Sequence, residues 1–307
     1  MPSATLPAED RDVSAIPVSK EMQVSSCPSC HLYKNTPTDR LTRELADAGI
    51  DVAAETPIDV FQMHKVDTMH YEFDRAEELI IQRLRKEKGD TRNLKVLDVG
   101  SGFGGPARYL AAKMECSVHA LELLEDLSAF AERLSKRTQV DQLVHHRTGS
   151  VETFELPQGE EGKFDAALAL LSLLHVPHLD LALVQLGKSV KSGGLLFVDD
   201  YFLREGSDQS VTADLQSIVG CPKLRSQAEW TEMLGQAGFA LEEFGDVTAT
   251  WAGWTEERRK GFEESMERNV RVQGAETAQM MLEFYATVAK AFASGHLGGC
   301  RIVARKL

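Results

Sequence analysis

The residues of this chain best suited to chemistry stand together: Gly100-Ser101-Gly102-Phe103-Gly104-Gly105 follows the apolar run Val96-Leu97-Asp98-Val99 and precedes Pro106. Val96, Leu97 and Val99 suit a strand covered on both faces. The glycines let the backbone turn closely against a ligand, and Pro106 fits the first turn of a helix. Gly100, Gly102 and Gly105 satisfy the letters of the dinucleotide pattern G-x-G-x-x-G. Glu122 stands 22 residues after Gly100, at the expected end of the next strand. A carboxylate there can accept both ribose hydroxyls of a nucleoside-type ligand. Asp98 then divides the possible ligands. A dinucleotide fingerprint has an apolar or small residue at that place, whereas a carboxylate suits a ligand carrying an ammonium group near the loop.

The elements that must hold these residues alternate along the chain. Strand patterns at 94–99, 116–121, 143–147, 164–170 and 194–201 are interleaved with helical patterns at 106–114, 126–137 and 178–190. This succession predicts a parallel, doubly wound α/β sheet built from crossovers. A helix at 226–237 and strands at 239–248 and 299–306 complete a seven-stranded, mostly parallel sheet with helices on both faces, its last two strands an antiparallel edge pair. Upstream, one helix runs from Thr38 through Leu41 and Leu45 to Gly49, and another from Asp74 through Ala76, Ile80 and Leu84 to Gly89. The expected organisation is a disordered tail at 1–37, helices capping the cofactor site at 38–93 and the catalytic core at 94–307. Segments 202–225 and 251–297 exceed ordinary connections, and the second is helical in pattern through Phe262, Met266, Val270, Met281, Phe284 and Val288. Ligands of such sheets sit beyond the carboxyl ends of the strands, so both segments are expected to form a helical substrate lid.

Bulk properties narrow the partners. With 307 residues, 43% of them hydrophobic, the chain can build one large domain. A formal charge of −13 argues against nucleic acid and against an anionic membrane surface. No run approaches the roughly 20 apolar residues of a membrane span. The first residues lack a secretory apolar core, and Glu9, Asp10 and Asp12 are unlike a transit peptide, so a cytoplasmic protein is expected. Five cysteines do not suggest a disulfide framework. Cys27-Pro28-Ser29-Cys30-His31 is half of a zinc pattern without a second half, so no metal centre is expected.

Val96 to Gly105 resembles the first motif of class I S-adenosylmethionine-dependent methyltransferases. Phe164-Asp165 through Leu170, with Leu173, Leu174 and His175, resembles their fourth-strand motif, and Lys191 to Asp199 resembles the turn and fifth strand that follow. A narrower resemblance, to the sarcosine/dimethylglycine N-methyltransferase family, covers most of 67–307. It rests on Asp67 to Tyr71, Gly100 to Leu110, Asp199-Asp200-Tyr201, Asp246 to Trp251, and Phe284-Tyr285 leading to Gly295 through Ile302. The sequence departs from the pattern in two places. Ser150 stands where many class I methyltransferases carry an acid for the adenine amino group, and Glu72-Phe73 stands where a glycine is expected.

The resemblance implies a Rossmann-like fold and methyl transfer from S-adenosyl-L-methionine, leaving S-adenosyl-L-homocysteine. The donor would contact Tyr71, Asp98, Gly100, Ser101, Gly102, Gly104, Glu122, Leu123, Ser150, Val151, Glu152 and Leu170. The implied acceptor is a small soluble amine such as sarcosine or dimethylglycine, with a thioether, thiol or hydroxy acid as the alternative. A methyltransferase-like binding protein without activity is a more distant one. An amine must offer its lone pair, so His175, His70 and Asp200 are the candidate bases, His175 first. A quaternary ammonium product has no N–H to donate and is best met by aromatic faces. Tyr201, Trp251, Trp254 and Tyr285 are the candidates for that role, and Arg108, Arg204 or Arg301 for pairing with an acceptor carboxylate. A monomer or weak homodimer is expected.

Overall fold

A computed structural model of the protein describes residues 37–154, 162–207 and 212–307. Three helices come first: α1 (Pro37–Asp47), α2 (Val60–Asp67) and α3 (Arg75–Lys88). The third illustrates how the sequence folds locally. Ala76, Ile80, Ile81 and Leu84 form its buried stripe, and Glu77 and Glu78 sit in the first turn, Arg85, Lys86 and Lys88 in the last, matching the helix dipole. Gly89, at φ 71°, ends it. Each large apolar side chain on that stripe contributes about 1.5–3 kcal/mol by leaving water.

Strand β1 (Lys95–Val99), α4 (Gly105–Met114), β2 (Ser117–Glu122), α5 (Glu125–Arg137) and β3 (Val144–Thr148) form the first half of the sheet. Then β4 (Phe164–Leu170), α6 (Leu179–Ser189), β5 (Val190–Leu203), α7 (Gln227–Gln236) and β6 (Phe239–Asp246) follow. Helices α8 (Thr248–Glu264), α9 (Met266–Gln273) and α10 (Ala275–Ala293) precede the closing strand β7 (Leu297–Lys306). The seven strands lie in the order β3-β2-β1-β4-β5-β7-β6, with β7 antiparallel to both of its neighbours. This is the Rossmann-like methyltransferase fold that the sequence predicts.

The topology places the site. Crossovers run outward from β1 to β3 and then return to β4, so the order reverses between β1 and β4, where such sheets open a crevice at their carboxyl ends. Side chains alternate across β1: Val96 packs with Ile80, Leu84 and Leu110 on one face, and Leu97 and Val99 with Leu183, Leu186 and Trp230 on the other. Two further apolar groups cover the crevice. Leu41, Leu45 and Met63 meet Phe103, Phe130 and Leu134 on one side. Tyr71, Tyr201, Trp251, Val288 and Phe292 pack together on the other. Among the described residues no helix is long and apolar enough to cross a membrane.

Some boundaries differ from the sequence reading. The first helix begins at Pro37, α2 had no counterpart in it, and the 251–297 segment is three helices whose first starts at Thr248. Strand β5 begins at Val190 rather than 194, because Gly193, at φ 76°, makes a bulge within it: Phe164 pairs with Val190, but Ala166 pairs with Leu195. The expected tail up to residue 36, including Cys27, Cys30 and His31, lies outside the described residues. Cys116, Cys221 and Cys300 are buried free thiols.

Candidate active site

The glycine loop turns at the open end of β1. Gly100, Gly102 and Gly104 all have positive φ, at 68°, 54° and 75°. A Cβ on Gly100 would lie 2.4 Å from the Ser172 Cβ, so Ser172, just past β4, presses directly on this backbone. Its hydroxyl donates to the Val99 carbonyl at 2.6 Å and ties the two strand ends across the crevice. The Glu122 carboxylate accepts the Gly102 N–H and the Leu124 N–H, each at 2.9 Å. The expected ribose carboxylate therefore also organises the loop it faces.

Two buried oxygens in this corner, Asp98 Oδ2 and Ser101 Oγ, have no protein hydrogen-bond partner. Burial, reinforced by the nearby Glu77 and Glu122 charges, pushes the Asp98 pKa up to about 7. An orphaned carboxyl, an orphaned hydroxyl and a ribose-type carboxylate around a glycine turn fit the ammonium and ribose groups of S-adenosylmethionine. Farther along the crevice, Leu123 and Leu170 are half-buried at the ends of β2 and β4, and Val151 is buried. Ser150 caps the short turn Val151–Thr153 by accepting the Glu152 N–H at 3.2 Å. Glu152 Oε1 accepts the His178 N–H at 2.8 Å, so this acid braces the start of α6.

Next to the loop lies a cavity of about 140 Å³. Its wall includes Met69, Tyr71, Phe103, Leu174, His175 and Tyr201 from the core side, and Arg258, Met281, Phe284 and Tyr285 from α8 and α10. Tyr71 and Tyr201 share a short hydroxyl–hydroxyl hydrogen bond. Burial holds both phenols protonated, Tyr71 with its pKa pushed up to about 12. Trp254 stacks on Tyr71, with ring centres 4.8 Å apart. His175 Nδ1 lies 3.2 Å from the Gly220 carbonyl. A carbonyl only accepts, so Nδ1 carries the proton and Nε2 is the acceptor nitrogen of the ring. The enclosing wall pushes the His175 pKa down to about 4, which keeps the imidazole neutral.

Three of the residues expected at the acceptor, His175, Tyr201 and Tyr285, come together on this wall, joined by Tyr71, which was expected at the donor. Four others do not line it, one of them Trp254, which packs against Tyr71 and Arg258. His70 is buried behind it, with Nε2 2.7 Å from Glu77 Oε1. Asp200 is buried beneath Tyr201, accepting its N–H at 2.6 Å, and burial pushes its pKa up to about 8. Trp251 is 1% exposed; its indole N–H donates to Glu72 Oε2 at 2.9 Å and its ring packs on Gly299, which has no side chain to obstruct it.

The arginines also sort differently from expectation. Arg108 is buried in an ion pair with Asp67, Arg301 pairs with Asp199 and Glu72, and Arg204 is exposed near the Gly295 carbonyl. Arg258, which sequence reasoning missed, is the cation that α8 brings to the aromatic cavity. Its guanidinium carbon lies 4.9 Å from the Trp254 ring centre and 4.8 Å from that of Tyr285, and Nη2 donates to the Tyr285 hydroxyl at 3.2 Å. The available signal was local: Trp254 and Arg258 are four apart on one helix, hence on one face.

Residues 69–243, more than half of the chain, match the family described as a methyltransferase domain. The chain belongs to that family. The methyltransferase domain family transfers the methyl group of S-adenosylmethionine, in agreement with the orphaned groups at the glycine loop. The chain is 29% identical over 153 residues to a sarcosine/dimethylglycine N-methyltransferase of Halorhodospira halochloris, covering 50% of this chain and 54% of that protein. It is 26% identical over 156 residues to a sterol 24-C-methyltransferase of Candida albicans, covering 49% and 41%. It thus spans about half the length of these curated relatives or less. A solved structure from Galdieria sulphuraria, of a protein proposed to be a sarcosine dimethylglycine methyltransferase, superposes with a TM-score of 0.70 at 16% identity. That alignment covers 88% of this methyltransferase and 97% of the other chain.

Proposed function

We propose that this methyltransferase methylates the nitrogen of a small amine bearing a carboxylate, such as sarcosine or dimethylglycine, in the cavity between the glycine loop and α8–α10. One observation carries the reading: Arg258 stands in an aromatic wall, stacked on Trp254 and Tyr285, and among the described residues it has no ion-pair partner. A guanidinium so placed matches a carboxylate, and the tyrosine faces beside it suit a positively charged methylated nitrogen. The volume, about 140 Å³, is well below the roughly 300–1,000 Å³ of drug-sized sites, and favours a metabolite over a sterol-sized acceptor.

When bound, S-adenosylmethionine supplies an activated methyl group on a sulfonium. Gly100 to Gly102, Asp98 and Glu122 would hold it, with the carboxyl of Asp98 facing its ammonium. Arg258 would fix the far end of the acceptor, so that nitrogen and methyl meet in line; such positioning can supply about 7–11 kcal/mol in favourable systems. His175 Nε2 can accept the single N–H of neutral sarcosine and so aim its lone pair; neutral dimethylglycine has no N–H to donate and would be aimed by Arg258 and the aromatic wall alone. With a pKa of about 4 it is too weak a base to take a proton from an ammonium ion, whose pKa lies near ~10. The amine therefore loses its proton to solvent before entering, and His175 orients it where an N–H remains.

The same wall would receive a methylthio-substituted carboxylic acid, because its methylated sulfonium is also a cation beside a carboxylate. A methyl-acceptor screen with labelled cofactor separates the readings. Sarcosine and dimethylglycine should be methylated, and dimethylaminoethanol, which lacks the carboxylate, should be poor. Turnover of the thioether acid alone would move the activity to sulfur, and turnover of none of these acids would overturn the proposal.

A further inference from the structure

Behind the cavity, on the inner face of α3, Glu77 is fully buried, and two histidines from the preceding segment converge on it. His70 Nε2 lies 2.7 Å and His64 Nε2 3.3 Å from Glu77 Oε1. One donor atom from each of the three residues fits within 4.8 Å of the others, and both histidines are 4% exposed. The group is poorly satisfied as a purely organic cluster. Neither ring nitrogen of His64 makes a hydrogen bond, and neither does Glu77 Oε2. Leaving such buried groups unpaired forfeits the hydrogen bonds they would make in water.

The His70–Glu77 hydrogen bond satisfies one carboxylate oxygen and leaves His64, with both ring nitrogens unpaired, without a role. His70 is oriented as metal-bound histidines are: Nδ1–H donates to the Tyr71 carbonyl at 3.1 Å and Nε2 points at the cluster. Two imidazole nitrogens and a carboxylate oxygen make three donors with no thiolate among them, a set suited to zinc and its neighbours.

We propose that His64, His70 and Glu77 form a buried zinc-type divalent cation site that fastens α2 and the turn before α3 onto α3. None of the three residues lines the acceptor cavity, so the site is structural. Its reach is nevertheless functional. Met69, whose sulfur lies against Gly102, and Tyr71, on the cavity wall, flank His70. Because α2 must close over α3 to complete the ligand set, the ion is captured as the chain folds, and binding should not require an open path in the native state.

The test is metal analysis of the full chain expressed in zinc-supplemented medium and passed over a chelating resin. The wild type should retain stoichiometric zinc, and His64→Ala should fall to background. His64→Ala keeps the His70–Glu77 pair and so should remain folded, which circular dichroism checks. A Cys27→Ser/Cys30→Ser variant should retain the metal; loss there would put it on the cysteines and overturn the assignment. Refolding with Co²⁺ in place of zinc should give the visible absorption of an N/O-ligated site, absent in Glu77→Gln. Refolding with zinc should raise the thermal midpoint over refolding with chelator. Background metal in the wild type, together with equal midpoints in zinc and chelator, would refute the site whatever the enzyme's acceptor proves to be.

Discussion

Arg258→Met removes the guanidinium from the aromatic wall while keeping much of its apolar length. If Arg258 binds the acceptor carboxylate, the loss is one charge-assisted interaction, about 1.5–3 kcal/mol. At 1.4 kcal/mol per tenfold that is roughly 10- to 150-fold in affinity. The carboxylate lies remote from the reacting nitrogen and is held equally before and during transfer, so the loss should appear in KM with kcat nearly unchanged. The guanidinium also stacks on Trp254 and Tyr285, at 4.9 and 4.8 Å, and losing those contacts could loosen α8 whatever the acceptor. The assay must therefore be a ratio. Steady-state kcat/KM for dimethylglycine and for dimethylaminoethanol should differ strongly in the wild type and converge in the variant. An equal fall for both acceptors would mean that Arg258 only packs the helices together. An unchanged ratio with unchanged rates would mean that the carboxylate sits elsewhere, and the functional reading would lose its main support.

Gly100→Ala places a side chain at φ 68°, with its Cβ 2.4 Å from Ser172 Cβ. About 1–2 kcal/mol for the left-handed backbone and about 1–3 for the overlap should lower urea stability and weaken cofactor binding in calorimetry; wild-type values for both would remove the loop from its role. Arg108→Ala strands the buried Asp67 carboxylate and should cost about 3–5 kcal/mol in urea denaturation, a loss under ~1 kcal/mol being inconsistent with a closed pair. Asp200 has a folded pKa of about 8, far above the ordinary ~4 of an unfolded aspartate, so between those values the folded chain holds a proton the unfolded chain has lost. Stability therefore falls as pH rises from ~4 towards 8, by up to roughly 1.4 kcal/mol per unit. Asp200→Asn can keep the Tyr201 N–H bond but cannot ionise, so its thermal midpoint should drop less than that of the wild type between pH 5 and pH 8.5. Parallel declines would show that this carboxyl titrates normally.

The sheet was readable because its strands are apolar on both faces and its crossover helices carry ordinary stripes; β4, for example, buries Phe164 and every residue from Ala166 to Ala169. Helix α2 was not, for a physical reason. Its buried positions Val60, Met63, His64 and Asp67 have helical spacing, but two of the four are polar, so no hydrophobic period stands out. The start of β5 was hidden likewise: Lys191-Ser192-Gly193-Gly194 reads as a turn, and only pairing with β4 makes it a bulged strand. The departure at Glu72-Phe73 is also resolved by partners outside the local sequence. Both residues adopt positive φ, 59° and 54°, a backbone that favours glycine. The Glu72 carboxylate is gripped by Trp251 Nε1 and Arg301, contacts that help hold the turn without glycine.

The two halves of the candidate site differ in legibility for the same reason. The cofactor half is local: the glycine turn, Asp98 and Glu122 fall within two successive βα units, so their spacing alone carries their geometry. The acceptor half is assembled from the turn before α3, the end of β4, β5, α8 and α10, and no spacing in the chain encodes which of their side chains meet. Identity was a poor guide there, since a histidine, an aspartate, a tryptophan and three arginines all had suitable chemistry. Burial decided among them. His70, Arg108 and Arg301 each found a charged partner inside the protein, and Asp200 is sealed beneath Tyr201 with one oxygen on its N–H, so none of the four lines the cavity. Arg258 is distinguished by contacts that hold it without neutralising it: two aromatic faces and a phenol leave its charge to whatever anion enters the cavity. That asymmetry, a positioned cation among described residues that do not pair with it, is a property of the folded arrangement, and it makes the acceptor's carboxylate the sharpest point at which the functional proposal can fail.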